Sequence, residues 1–335
     1  MTRELGIGVI GAGRIGTVHA HTIAGVVSDA RLAWIADPAE QARTRLGQSV
    51  GCEQLTDVPE TLFNDSEVDA VVICSSTDTH AELITKAAQA GKHIFCEKPL
   101  ALSVEDIDAA LAEVDKAGVA LQVGFNRRFD RDFSAIRKQI LDGTIGRPET
   151  LRITSRDPRP PPIDYVRVSG GMFLDMSIHD FDMARYLMDS EITEVHVYAD
   201  ALVDPAIGEA GDVDTAVISL RFASGAVGVI ENSRRTAYGY DQRVEVFGSE
   251  GMLHNLNQRT DDVVVTAAEG SCERPLMDFF MDRYKASYQL ELQAFVDAVR
   301  ESKPTPVGGE DGRVAVVLGH AATRSWRDGL AVKTA

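Results

Sequence analysis

Residues 5–16 read Leu-Gly-Ile-Gly-Val-Ile-Gly-Ala-Gly-Arg-Ile-Gly, a short apolar run that leads into glycines spaced Gly-x-Gly-x-x-Gly. The glycine spacing is weak evidence by itself, because glycine turns are common. Here it follows a predicted strand and opens a predicted helix, which is the context that dinucleotide binding requires. We therefore predict a strand–turn–helix unit that binds a pyrophosphate; the alternative is an ordinary turn without a ligand.

Each glycine of the motif has its own predicted role. Gly11 permits the tight turn, Gly13 lets the backbone approach the pyrophosphate, and Gly16 lets the helix pack closely against the strand. The helix N-terminus then presents free N–H groups and the positive end of its dipole to the phosphates. Backbone groups therefore suffice to hold an anionic cofactor.

Strand and helix patterns alternate through the first 124 residues. Apolar or β-branched runs at 31–36, 68–74, 93–96 and 119–123 are separated by segments of helical periodicity. This alternation predicts right-handed crossovers and a doubly wound parallel sheet, the α/β class. We predict that this first domain covers residues 1–124.

The second half has a different pattern and is predicted to form a second domain over 125–335. Runs at 149–156, 194–199, 214–222, 226–234 and 242–247 alternate or are β-branched, with turn-forming residues between them. These runs predict a mainly antiparallel sheet. Helical patterns cover 129–141, 172–188, 287–300 and 312–326.

Composition excludes several classes of protein. The 335 residues include 51 acidic and 34 basic ones, a net charge of −17, which disfavours nucleic acid and anionic lipid surfaces as partners. No apolar run approaches the ~18 residues of a membrane span, and no targeting segment is recognisable. The four cysteines (Cys52, Cys74, Cys96 and Cys272) are scattered without zinc-type spacing, so we expect buried thiols in a reducing, cytoplasmic protein.

Asp37 stands at the end of the second predicted strand, about 20 residues beyond the glycine motif. A carboxylate there accepts hydrogen bonds from the ribose hydroxyls and repels the 2′-phosphate of NADP. No arginine follows closely before Arg43. Asp37 therefore favours NAD as the cofactor; the alternative is a solvated turn residue.

Lys98 follows the predicted strand 93–96, within Cys96-Glu97-Lys98-Pro99. Ligands of an open parallel sheet bind beyond the carboxyl ends of its strands, so Lys98 is well placed to reach a substrate oxygen. Glu97 can hold its charge, and Pro99 stiffens the backbone. The alternative is an ordinary surface lysine.

A second set of titratable residues occurs in 170–186, which reads Gly-Gly-Met-Phe-Leu-Asp-Met-Ser-Ile-His-Asp-Phe-Asp-Met-Ala-Arg-Tyr. On a helix, four of its polar side chains form one narrow stripe between apolar flanks: Asp175, His179, Asp182 and Tyr186. Histidine titrates near neutral pH and suits proton transfer, with a neighbouring aspartate fixing its tautomer. The alternatives are a solvated helix face and a metal site; without H-x-x-x-H or H-E-x-x-H spacing we predict no metal.

Taken together, four segments resemble the Gfo/Idh/MocA family of oxidoreductases over nearly the whole chain. They are the glycine motif, Ser-Ser-Thr-Asp-Thr-His at 75–80, Ala-Gly-Lys-His-Ile-Phe-Cys-Glu-Lys-Pro-Leu at 90–100, and the helix pattern Gly-Gly-x-x-x-Asp-x-x-x-His-Asp-x-Asp. Segments 123–130, 156–158 and 238–241 carry a closer similarity to the branch of the family that oxidises inositol.

The resemblance implies an N-terminal Rossmann domain and a C-terminal α/β domain with a large open sheet that binds substrate and mediates oligomers, often tetramers. It implies a catalytic set of Lys98, Asp175 and His179. It implies an NAD site lined by Arg14, Ile15, Asp37, Ser75, Thr77, His80 and Glu97, in addition to the glycines. Substrate contacts are implied for Asn126, Arg127, Asp157 and Tyr240.

The activity implied by the resemblance is NAD-dependent oxidation of a cyclic polyol, myo-inositol to 2-keto-myo-inositol. Asn126 and the segment 155–157 stand at substrate-facing positions where inositol dehydrogenases vary, which leaves the stereoisomer open. The alternatives are a dehydrogenase of the same family that acts on a sugar or another inositol isomer, with NAD or NADP, and a non-catalytic regulator that binds a dinucleotide. Lys98, Asp175 and His179 together argue against the regulator, because a sensor needs no proton relay.

Overall fold

A computed structural model describes residues 3–334 of the chain. The first part alternates strands and helices: β1 (Leu5–Ile10), α1 (Arg14–Gly25), β2 (Ala30–Ala36), α2 (Glu40–Val50), β3 (Leu55–Thr56), α3 (Glu60–Asn64), β4 (Ala70–Ile73), α4 (His80–Gln89), β5 (His93–Cys96), α5 (Val104–Ala117) and β6 (Leu121–Val123). The six strands form one sheet in the order β3-β2-β1-β4-β5-β6, and every pairing is parallel. The predicted doubly wound sheet is confirmed.

The remaining elements in chain order are α6 (Arg131–Leu141), β7 (Pro148–Arg156), α7 (Ile163–Val166), α8 (Met172–Asp175), α9 (Ser177–Met188), β8 (Ile192–Asp200), α10 (Pro205–Glu209), β9 (Thr215–Phe222), β10 (Val227–Ser233), β11 (Asp241–Gly248), β12 (Gly251–His254), β13 (Val264–Ala267), β14 (Gly270–Glu273), α11 (Phe280–Arg283), α12 (Lys285–Glu301), α13 (Gly309–Asp328) and β15 (Val332–Lys333). A 3₁₀ turn at Asn126–Phe129 precedes α6.

Seven of these strands form a second sheet in the order β12-β11-β7-β10-β9-β8-β15. All pairings are antiparallel except that of β7 with β10. The prediction of a mainly antiparallel sheet is confirmed. Because β7 lies between β10 and β11, those two strands are consecutive in sequence but do not form a hairpin.

The chain divides into two compact units, and the division differs from the predicted boundary at residue 124. One unit contains the residues up to Phe129 together with Ala286–Val316; the other contains Asp130–Lys285 and the residues from Val317 onward. The late segment belongs to the first unit because α12 buries Leu292, Phe295 and Val296 in the core of the parallel sheet. Apolar periodicity predicts such a helix but does not reveal which sheet it covers.

Two local features differ from their predictions. The helix predicted over 172–188 is two helices, because the backbone turns at Met176 between α8 and α9. Cys272, expected to be buried, is exposed on β14, whose residues and those of β13 all face solvent. Within residues 3–334 no helix combines the length and apolar character needed to cross a membrane.

Candidate active site

The glycine turn after β1 shows why each glycine is required. Gly11 has φ +103°, and a Cβ there would lie 2.6 Å from the carbonyl carbon of Cys74. A Cβ at Gly16 would overlap the Gly11 carbonyl oxygen, so α1 packs directly on the turn. A Cβ at Gly13 would meet nothing within 4 Å. The open space lies where a pyrophosphate approaches the helix N-terminus, so the turn fits a dinucleotide.

Arg14 and Ile15 follow the turn as the first residues of α1, and Asp37 fastens the turn to the end of β2. One oxygen of Asp37 accepts the Ala12 N–H at 2.6 Å and the other accepts the Ala39 N–H at 2.8 Å. Arg43 donates to the carbonyl oxygens of Asp37 and Pro38 at 3.1 and 3.2 Å. The carboxylate is thus oriented at the strand end, and its negative charge opposes a 2′-phosphate.

The loops after β4 and β5 are joined by His80. Its ring is buried, and the two ring nitrogens lie 2.8 Å from the Pro99 carbonyl oxygen and 3.1 Å from that of Ser75. Burial lowers the pKa of His80. Ser75 Oγ lies 2.6 Å from Thr79 Oγ1, and Thr77 begins the single 3₁₀ turn between them. His80 therefore acts on the loop backbones, while Ser75 and Thr77 stay partly exposed at the strand edge.

Glu97 continues the line of β5, because its N–H donates to the Ile73 carbonyl at 3.0 Å. Its carboxylate is only 12% exposed and accepts a 2.7 Å hydrogen bond from Nε2 of His19 on α1. A Cβ at Gly124 would lie 3.0 Å from the Glu97 carboxyl carbon, so this glycine leaves room for the side chain. Lys98 is half-buried and follows at once. The Glu97 side chain therefore points into the first unit, where its hydrogen bond to His19 fixes the backbone next to Lys98.

In the second unit, Asp175 ends α8 and is held by two residues that sequence analysis did not single out. Arg234 donates from both terminal nitrogens to Asp175 Oδ2 at 3.2 Å, and the Tyr165 hydroxyl donates to Oδ1 at 2.8 Å. The Arg234 side chain is 2% exposed and that of Asp175 is 14% exposed. An arginine so buried keeps the carboxylate ionised and fixed in orientation.

His179 lies in the first turn of α9, and the residue after it anchors that turn. Asp180 is fully buried and accepts hydrogen bonds from Ser155 Oγ at 2.6 Å and from Asn232 Nδ2 at 2.7 Å. Ser177 donates to the Asn232 amide oxygen at 2.5 Å. The predicted polar stripe is therefore divided: Asp182 is buried, whereas His179 is partly exposed. The network fixes the start of α9 against β7 and β10.

The glycine pair before α8 has a structural neighbour. Gly171 has φ +81°, and a Cβ there would lie 2.9 Å from Asp212 Oδ1, which accepts the Met172 N–H at 3.0 Å. The glycine therefore leaves room for the Asp212 carboxylate beside the first turn of α8.

The predicted substrate residues are distributed over both units. Asn126 and Arg127 belong to the first unit, where both are buried in the 3₁₀ turn. Asp157 and Tyr240 belong to the second; Asp157 continues β7, and the Tyr240 ring meets Tyr284 edge-on at 6.0 Å. Two of the four predicted substrate residues therefore belong to each unit.

Sequence reasoning missed Arg234, Tyr165, His19 and Glu291. Arg234 ends a β-branched run and Tyr165 follows a proline-rich loop, so neither has a local signal. His19 offered one: it lies on the glycine-motif helix, one turn beyond Gly16. Within the described part of the chain, the only group of three side chains with metal-ligand atoms close together is His19, Glu97 and Glu291. The alternative metal set of Asp175, His179 and Asp182 does not form one.

Comparison with known proteins agrees with both units. Residues 5–125 match the model for the oxidoreductase family with an NAD-binding Rossmann fold, and residues 133–254 match the GFO/IDH/MocA C-terminal domain. The chain is 52% identical over 327 residues to myo-inositol 2-dehydrogenase of Thermotoga maritima, covering 98% of each chain.

Solved structures give the same result. A probable dehydrogenase from Thermotoga maritima superimposes with a TM-score of 0.97 at 52% identity, covering 98% of this chain and 99% of that one. The scyllo-inositol dehydrogenase of Lactobacillus casei with bound NAD(H) and scyllo-inositol has a TM-score of 0.93 at 28% identity, covering 99% of each chain.

Proposed function

The chain belongs to the Gfo/Idh/MocA family of oxidoreductases, and on that premise we propose that it oxidises a cyclic polyol with NAD, converting myo-inositol to 2-keto-myo-inositol. The observation that carries this proposal is the 52% identity, over 98% of both chains, with a myo-inositol 2-dehydrogenase. The geometry of the second unit supports it, because Asp175 is ion-paired with the buried Arg234 and lies four residues before a partly exposed histidine.

In the proposed reaction a ring CH–OH becomes C=O, and one hydride and one proton leave the substrate. NAD, when bound, accepts the hydride. His179 takes the hydroxyl proton as general base, and Asp175 orients it and stabilises its cationic form. Lys98 donates a hydrogen bond to the same oxygen and stabilises the developing alkoxide. The proton finally passes to water, so the reaction balances as polyol plus NAD⁺ to ketone plus NADH plus H⁺.

In this proposal the glycine turn holds the pyrophosphate and Asp37 binds the adenosine ribose. Arg14, Ile15, Ser75, Thr77 and Glu97 complete the cofactor side, with His80 acting through the loop backbones. Asn126, Arg127, Asp157 and Tyr240 contact the polyol hydroxyls. The inward orientation of Glu97 and the burial of Asn126 and Arg127 support roles in shaping the site.

The proposal is tested by following NADH formation from myo-, scyllo- and chiro-inositol beside glucose and galactose at saturating NAD. We expect the highest kcat/KM with myo-inositol. A preference for another isomer or for a sugar would replace the substrate within the same reaction class. NADH binding without turnover of any of them would indicate the non-catalytic regulator.

We further propose that the protein is a cytoplasmic homo-oligomer, a tetramer, assembled through the seven-stranded sheet. Its solvent-facing side carries exposed Tyr198, Val217, Val227 and Phe247 at 42–70% exposure. Such a patch is characteristic of a protein interface. Light scattering should give the tetramer mass for the wild type and a smaller mass for Phe247→Asp, whereas an unchanged mass would place the interface elsewhere.

A further inference from the structure

A buried cluster of ionisable side chains in the first unit includes Glu97, the residue that precedes Lys98. His19 of α1, Glu97 after β5 and Glu291 of α12 bring ligand-type atoms within 4.8 Å of one another. His19 and Glu291 are both 0% exposed. The proposed reaction assigns no role to either of them.

His19 acts in this cluster as a hydrogen-bond donor. Its Nε2 lies 2.7 Å from Glu97 Oε1, and a carboxylate only accepts. Nδ1 is buried and has no hydrogen-bond partner within residues 3–334. A buried lone pair is tolerated more readily than a buried N–H without an acceptor. A ring that carries its proton on Nε2 therefore fits the site.

Glu291 is a carboxyl group in an environment that does not support its negative charge. Both oxygens are buried, and in the part of the chain that the structure describes neither of them accepts a hydrogen bond from a donor group. Burial and the charge of Glu97 raise the pKa of Glu291 well above its ordinary value. Burial likewise raises the pKa of the neighbouring Cys74 and Cys96 thiols. Glu291 is therefore the member of the cluster whose protonated form burial favours.

We propose that His19 and Glu291 are positioning residues for Lys98, which they orient by presenting two protons to the Glu97 carboxylate. The proposal rests on the proposed function, because Lys98 is catalytic only there. Glu97 continues the strand geometry of β5, in which consecutive side chains point to opposite faces. Anchoring Glu97 on the inner face therefore directs Lys98 to the other. A Glu97 carboxylate without these donors would compete for the ammonium group of the next residue.

A bound metal ion is the competing interpretation, since one histidine and two carboxylates suit zinc or manganese. A metal-binding histidine usually donates its other ring N–H to an acceptor. Nδ1 of His19 lacks such an acceptor within residues 3–334, and the ring lies edge-on to Phe95 and Tyr288 at 5.1 and 5.8 Å. These surroundings favour a shared proton over a metal.

The test compares Glu291→Gln, which keeps the shape and an N–H donor, with Glu291→Leu, which has no donor. Glu301→Gln, at the exposed end of the same helix, is the control. With myo-inositol, or the best substrate of the screen above, we expect kcat of Glu291→Gln within about 2-fold of wild type. For Glu291→Leu we expect kcat on the order of 10- to 100-fold lower, since small displacements of a catalytic group have effects of this size. The KM for NAD should change little, because the glycine turn is intact.

Infrared difference spectra provide a readout that does not depend on turnover. Wild type at neutral pH should show the carbonyl band of a protonated carboxyl group, which Glu291→Gln removes and Glu301→Gln retains. This readout also covers the case in which Glu291→Leu does not fold. If no polyol or sugar is turned over, the proposed function fails. The carbonyl band still shows whether Glu291 is protonated, so the two failures are distinguishable.

Three results would overturn the inference. Wild-type kcat in folded Glu291→Leu would remove the positioning role. Absence of the carboxyl band would show that Glu291 is ionised. Stoichiometric zinc or manganese in the purified protein, lost in Glu291→Gln, would establish the metal site instead.

Discussion

Each unit buries a carboxyl group beside the proposed acid–base machinery, and the two units stabilise it in different ways. Asp175 in the second unit faces the buried guanidinium of Arg234 and keeps its charge. Glu291 in the first unit has no ion pair within residues 3–334 and keeps its proton, which burial favours. An ionised carboxylate suits a position that must stabilise a cationic histidine. A protonated carboxyl group suits the position of Glu291, which must donate a hydrogen bond and fill buried space.

The largest expected effect comes from removing the two residues that these carboxyl groups serve. Lys98→Ala and His179→Ala should each lower kcat on the order of 10²- to 10⁴-fold, the usual contribution of general acid–base catalysis. NADH binding, measured by fluorescence titration, should persist in both. The exposed Lys116→Ala and His254→Ala serve as controls. Near-wild-type turnover in either active-site variant would remove that residue from the mechanism.

Arg234→Met tests whether the ion pair with Arg234 stabilises the Asp175 carboxylate. It leaves the Asp175 carboxylate buried without its cation, so the free energy of unfolding should fall by about 3–5 kcal/mol. Adding Asp175→Asn should recover part of that loss, because the stranded charge is gone. Arg131→Met removes an exposed pair with Asp132 and should cost less than about 1 kcal/mol. Equal losses in urea unfolding for the two arginines would contradict the assignment.

Glu291→Gln tests, through the pH dependence of stability, whether the Glu291 carboxyl group is protonated in the folded protein. The pKa of Glu291 is raised in the folded state, so its proton is lost on unfolding at pH values between the ordinary glutamate value, ~4.3, and the folded-state pKa. Wild-type stability should therefore fall as pH rises from about 5 towards the folded-state pKa, by up to ~1.4 kcal/mol per pH unit from this group. The variant lacks this dependence. Its Tm relative to wild type should rise with pH, and a constant difference would refute the protonated state.

Tyr165→Phe should have the smallest effect. It removes one hydrogen bond to Asp175 and leaves the arginine pair in place, so the expected loss is about 0.5–1.5 kcal/mol. Urea unfolding beside Arg234→Met ranks the two contributions. A loss as large as that of Arg234→Met would show that the tyrosine, and not the ion pair, stabilises the carboxylate.

The glycine motif and the alternating strands predicted the first sheet because both signals are local. The N-cap of α5 is a local feature of the same kind: Ser103 precedes the helix and accepts the Asp106 N–H at 3.2 Å. The partners of Asp175 and Glu97 could not be predicted in this way. Arg234 and Glu291 lie far along the chain from the groups they serve, and the fold alone brings them close. The break at Met176 was also hidden, because apolar periodicity continues through it.

The return of residues 286–316 to the first unit has a consequence for synthesis on the ribosome. The parallel sheet is translated first, but the helix that buries Leu292, Phe295 and Val296 against it emerges only near the end of the chain. Domains often fold in the order in which they are made. Here the first-made unit must keep an apolar face uncovered while residues 130–285 of the second unit are translated. Nascent chains stalled before α12 should therefore bind chaperones more strongly than full-length ones.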